Sequence, residues 1–171
     1  MYKKLGLNMG SKEEIYNILK ENNIHYEAVE HKAVYTMEDM LELELDKKGR
    51  IIKNIFLFCR KTKRYFLVIM EESKRLNLKD LSSKLQAKLT FASEEDLNKY
   101  LNLSKGAVSP LGILYDKEGI VNLVADRELV LPETNNIIGI HPCDNTATVF
   151  LEYRDLIKLI NNKNNIEIID I

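Results

Sequence analysis

The stretch IGIHPCDNTATVFL, residues 138–151, holds one of three histidines and one of two cysteines in the chain, with an aspartate beside them. A thiol nucleophile needs a base within reach and a carboxylate on the far nitrogen of that base. His141, Cys143 and Asp144 lie within four positions, stiffened by Pro142, and such close neighbours rarely converge on one centre. A Cys–His–Asp triad is therefore discounted. Zinc would need three or four ligands. His25, His31 and Cys59 could join His141 and Cys143, but no CxxC or HxxxH spacing accompanies them, so no metal is expected. With no Walker loop and no GxGxxG, no nucleotide cofactor is expected either. What remains is a strand–loop–strand whose His141, Asp144, Asn145 and Thr146 offer donors and acceptors at a strand end. Such a loop is either a well-capped turn or the polar rim of a small-ligand pocket.

A second candidate is Lys53, inside the otherwise apolar run IIKNIFLF. It either points to solvent or faces a pocket, where its charge could hold a phosphate or polarise a carbonyl. Asn54 must point to the opposite face of any regular strand.

The elements that would position these groups alternate along the chain. Ser11-Lys12-Glu13-Glu14 has the capping-box pattern, and Ile15, Ile18 and Leu19 then share a helical face. IHYEAVEH predicts a short strand, and Thr36 a cap for a helix burying Met37, Met40, Leu41 and Leu45. IIKNIFLFCR and RYFLVIME around KTK predict a central hairpin. Leu78, Leu81 and Leu85 suggest a helix, KLTFAS a strand, and Ser93 a cap for EEDLNKYL. GAVSPLG is a loop, followed by strands GILYD, IVNLVAD, NIIGI and TATVFLE, a helix through Tyr153, Leu156, Ile157 and Ile160, and a last strand IEIIDI. The mixture with at least one hairpin predicts an α+β fold with a mixed, mainly antiparallel sheet surrounded by helices.

The chain has 171 residues, enough for one domain burying roughly 70% of its unfolded surface. Residues 1–171 are read as a single domain with an N-terminal extension over 1–10. No apolar run approaches the ~20 residues of a membrane helix, so no membrane contact is expected, and two cysteines suit a reducing cytoplasm. Net charge is −1, yet CRKTKR and SKRLNLK are basic and MEDMLELELD is acidic. These runs are either solvated faces or, for the basic ones, a local phosphate-binding patch.

HKAVYTMEDM, KNIFLF, KLTFASEEDL, GAVSPLG and HPCDNTATV occur in the order and spacing of the YbaK/ProX family of aminoacyl-tRNA editing domains. The chain resembles the free-standing ProX (PrdX) type, which is similar to the editing domain inserted in bacterial prolyl-tRNA synthetases. The resemblance implies hydrolysis of alanine mis-esterified to tRNA(Pro), with proline excluded by pocket size. It implies the tRNA(Pro) acceptor end as partner and prolyl-tRNA synthetase as a second candidate partner. Lys53, Gly106 and His141 match the family's catalytic positions. Lys53 would hold the terminal phosphate, and the Gly106–Pro110 loop would offer backbone N–H groups to the ester carbonyl. His141 and Asn145 would orient the aminoacyl end for attack by water, with the tRNA 2′-hydroxyl assisting. His31, Thr36, Asn54, Ser109, Pro110 and Thr146 match further pocket positions. Val34, Leu45 and Ile55, with His141, are the expected wall. A cysteinyl-tRNA(Pro) deacylase and a non-catalytic module binding tRNA ends or amino acids are the alternatives.

Overall fold

The computed structural model describes residues 10–34, 37–131, 136–161 and 164–171. Ser11 caps α1 (Lys12–Glu21) by accepting the Glu14 amide at 3.2 Å. The reciprocal half of the capping box is not made, because the Glu14 carboxylate accepts the Tyr115 hydroxyl instead, at 2.8 Å. β1 (Tyr26–Glu30) follows, then a six-residue α2 (Met37–Glu42) and a 3-10 turn (Leu45–Lys47). The expected second helix is thus shorter than its sequence pattern. Glu44 adopts a left-handed φ of 52°, so Leu45 is buried from a separate turn while Leu41 is 53% exposed. Thr36 and the Met37 and Met40 side chains lie outside the described atoms.

The hairpin expected around KTK is β2 (Arg50–Cys59) and β3 (Arg64–Glu71), antiparallel in register from Ile52↔Glu71 to Cys59↔Arg64. Then come α3 (Leu78–Lys84), β4 (Leu89–Phe91) and α4 (Glu94–Leu101), the last capped by Ser93 as its sequence predicts. GILYD is not a strand. Ser109 accepts the Leu111 amide, Pro110 takes the first helical position where its missing N–H costs nothing, and residues Pro110–Tyr115 form a 3-10 helix. β5 (Val121–Asp126), β6 (Ile137–Ile140), β7 (Ala147–Glu152), α5 (Tyr153–Ile160) and β8 (Ile166–Ile169) complete the chain.

The eight described strands form one mixed sheet in the order β1-β7-β6-β2-β3-β5-β8, with β4 also pairing β2. Because side chains alternate across a strand, each face has its own composition. Ile52 and Phe56 of β2 join Ile138 and Ile140 of β6 in the main core, covered by α1, α4, α5 and the 3-10 helix. Leu57 and Cys59 look the other way, into a smaller core beneath Leu81 of α3. The parallel pairing Ile51↔Gly139 continues this second face onto β6, where α3 does not reach. The architecture is the α+β mixed sheet expected from the sequence.

Candidate active site

On that second face a small recess is lined by Ile51, Ile52, Gly139, Ile140, His141 and Thr148. Gly139 is what leaves the room. A Cβ there would stand 2.7 Å from Phe150 Cε1 and 2.9 Å from Ile51 Cδ1, so the Phe150 ring lies directly across the glycine.

His141 follows β6 immediately and is held from two sides. Its Nδ1–H donates to the Ala147 carbonyl at 3.1 Å, and its own carbonyl accepts the Ser109 hydroxyl at 2.5 Å. The Nδ1 bond fixes the tautomer of the neutral ring and leaves Nε2 as an acceptor. Burial holds the imidazole below its ordinary pKa, and the nearby His31 adds to that, against the Ala147 hydrogen bond. The ring is therefore neutral at pH 7. His31 lies beside it with Nδ1–H donating to Lys32 O at 2.7 Å, so its Nε2 accepts the Thr148 hydroxyl at 2.9 Å.

The loop after His141 is turn chemistry. Cys143 has a left-handed φ of 62°, and Asp144 accepts both the Thr146 hydroxyl at 2.7 Å and the Thr146 amide at 2.8 Å. Those bonds, with the hydroxyl foremost, hold the Asp144 carboxyl below the usual range. Cys143 is turned into the main core, where burial pushes its thiol up to about 12. A thiol in that state is no nucleophile at neutral pH. The Asn145 carbonyl accepts the Val34 amide at 3.3 Å, and among the described residues its carboxamide has no hydrogen-bond partner.

Lys53 shares the face of Ile51, but its ammonium is held on the β3 side of β2. It donates to Lys74 O at 2.7 Å and lies 3.8 Å from Glu72, whereas His141 is on the β6 side. Lys74 is itself anchored by the buried Asp126 at 2.5 Å. Gly106 is exposed with φ 94° in a turn closed by Ala107 N–H to Ser104 O, and among the described residues no hydrogen bond engages the Gly106 or Val108 amides.

The sequence-derived site divides accordingly. The structure brings His31 and His141 together, and ties Val34 to their loop through Asn145. Ser109 and Pro110 are buried behind His141, with the Ser109 hydroxyl bonded to the loop it braces. The Thr146 hydroxyl is spent on Asp144, and Lys12 also donates to it at 3.3 Å. Asn54 pairs opposite Ile69 on the main-core face, away from Lys53, with its Oδ1 buried and without a hydrogen-bond partner among the described residues. Ile55 packs on the α3 core, and Leu45 is buried in the turn before β2. Ile51, Gly139 and Thr148 line the recess without having been singled out. The signal was a glycine interrupting the apolar strand NIIGI, and a threonine at alternate spacing in TATVFL.

Residues 31–159 match the family described as the aminoacyl-tRNA editing domain. The chain belongs to that family. It is 39% identical over 160 residues to the prolyl-tRNA editing protein ProX of Acetoanaerobium sticklandii, covering 93% of this chain and 96% of that one. It is 33% identical over 159 residues to prolyl-tRNA synthetase associated domain-containing protein 1 of Danio rerio, covering 92% and 85%. Among solved structures, a candidate trans-editing enzyme for prolyl tRNA synthetase superposes with a TM-score of 0.74 at 16% identity, over 98% of both chains. That likeness shows the shared editing-domain fold. No helix among the described residues is long and apolar enough to cross a membrane.

Proposed function

We propose that the chain is a trans-editing deacylase that hydrolyses alanine mis-esterified to tRNA(Pro). The observation that carries this reading is the neutral His141, its Nε2 free to accept, at the rim of a recess small enough to take a methyl side chain. An aminoacyl ester is already activated, so a positioned water suffices as nucleophile, with the adjacent 2′-hydroxyl assisting its attack. Attack on the carbonyl breaks the bond to the ribose oxygen, which leaves with a proton, and free amino acid departs. His141 Nε2 would accept a hydrogen bond from the α-amino group or the attacking water. The open amides of Gly106 and Val108 are suited to the carbonyl oxygen as charge develops on it. Lys53 would reach the terminal phosphate by exchanging the Lys74 carbonyl for it. The editing names of the relatives and the family membership support the reaction class, and they make the tRNA(Pro) acceptor end and prolyl-tRNA synthetase the partners to test.

Selectivity follows from size. Affinity alone discriminates one methylene by only about 1–3 kcal/mol. A recess bounded by Ile51 and by the Phe150 ring over Gly139 instead excludes the proline ring sterically.

The test is a panel of tRNA(Pro) charged with alanine, cysteine or proline, followed for loss of the ester. The expected order is alanine fastest, cysteine slower and proline untouched. Preferential loss of cysteine would replace the alanine assignment. Binding of tRNA without turnover of any ester would contradict the enzyme reading in favour of a tRNA-end binder.

A further inference from the structure

Resting on that reading, we propose that Phe91, Lys88 and the cations of the β2–β3 turn form a docking platform for the single-stranded 3′ end of the aminoacyl-tRNA. β3 occupies one edge of β2 throughout the hairpin, so β6 and β4 must share the other. β6 pairs at Ile51↔Gly139 and β4 at Leu57↔Phe91. Phe91 therefore stands on the same sheet face and the same side of β2 as the recess, six β2 residues further on, or ~20 Å at ~3.3 Å per residue. Bases stacked at ~3.4 Å would cover that span in about six nucleotides, and fewer if the strand is extended.

Phe91 is 71% exposed, more than any other large hydrophobic among the described residues, while Leu89 on the same strand and face is buried. Of the other aromatics of this region, Phe56, Phe58, Tyr65 and Tyr100 stack on each other on the opposite side, while Phe66, on the same face, is buried in the α3 core. Core packing thus gives no reason for Phe91 to be aromatic. The register Cys59↔Leu89 sets Lys88 opposite Arg60, beside Lys61 and Lys63 in the turn. All four are exposed, and none has a carboxylate partner among the described residues, although Arg64 and Lys84 nearby are paired with Glu167 and Asp80. An exposed ring flanked by uncompensated cations is the combination that stacks a base and tracks phosphates. In a chain of net charge −1, it is also a local rather than global attraction for nucleic acid.

The measurement is fluorescence-anisotropy binding of an uncharged RNA hairpin with a single-stranded 3′-CCA end. Phe91→Ala should raise Kd about tenfold, and Lys88→Glu should raise it and flatten its salt dependence. The chain has no tryptophan, so Phe91→Trp supplies a single emitter that should retain affinity and be quenched as the hairpin binds. Wild-type affinity in Phe91→Ala, or Trp emission indifferent to saturating hairpin, overturns the platform. Alanyl-tRNA hydrolysis by the same preparations reports separately. A wild type that binds the hairpin through Phe91 yet hydrolyses no ester contradicts the deacylase reading and upholds the platform.

Discussion

Two residues set the character of the recess, one by its protonation and one by having no side chain. Burial depresses the His141 pKa, so the folded state prefers the neutral ring, and the acceptor at Nε2 exists only in that form. Enzyme-dependent hydrolysis should therefore be flat above the ordinary histidine pKa of ~6.5 and fall only at lower pH, with its midpoint below that value. The stability this group contributes has the same sign, present in full above ~6.5 and lost as pH falls through the folded pKa. A pH–rate profile with its midpoint above 6.5 would contradict the assignment. Gly139→Ala forces a methyl group against the Phe150 ring and Ile51. Overpacking of this kind costs about 1–3 kcal/mol, measurable by urea denaturation, and it should also close the recess to alanine.

At the scale of elements, local chemistry fixes what the sheet then orients. Ser93 caps α4 by accepting the Asp96 amide at 3.0 Å, and Ser93→Ala should lower stability by about 0.5–2 kcal/mol in equilibrium unfolding. That cap, the Ser11 cap and the hairpin around KTK were legible because their signals are local. GILYD misled because its apolar alternation outweighed the Ser109–Pro110 start signal beside it. The helix after Thr36 was overextended because periodicity cannot register the left-handed turn at Glu44. The site was legible in part for a similar reason. His141 and His31 stand out as rare residues, but the recess depends on Ile51 meeting Gly139 across a parallel pairing, and on Phe150 crossing that glycine. Those are long-range registers that no single segment carries. Ser109 and Thr146 matched pocket positions by sequence, yet their hydroxyls are occupied in holding the His141 loop in shape.

Across the whole molecule, the two faces of the sheet are packed differently. One face carries most of the core, and the other is shared between the α3 cluster and the recess. The buried Asp126 links the core to Lys53. It anchors Lys74, whose carbonyl holds Lys53, and its other oxygen meets the Glu128 and Ile171 amides at 3.4 Å. Asp126→Ala removes one partner of a buried pair and should cost about 3 kcal/mol, read by denaturant unfolding. The central claim is that ester hydrolysis takes place where β2 and β6 meet, with His141 at its centre. Its most direct test is the single-turnover rate of alanyl-tRNA(Pro) hydrolysis by His141→Ala against wild type, at pH 7 and saturating protein. A loss of about a hundredfold or more, with the thermal transition retained, is the result expected of a group acting on the reacting atoms. A rate within twofold of wild type would contradict the account.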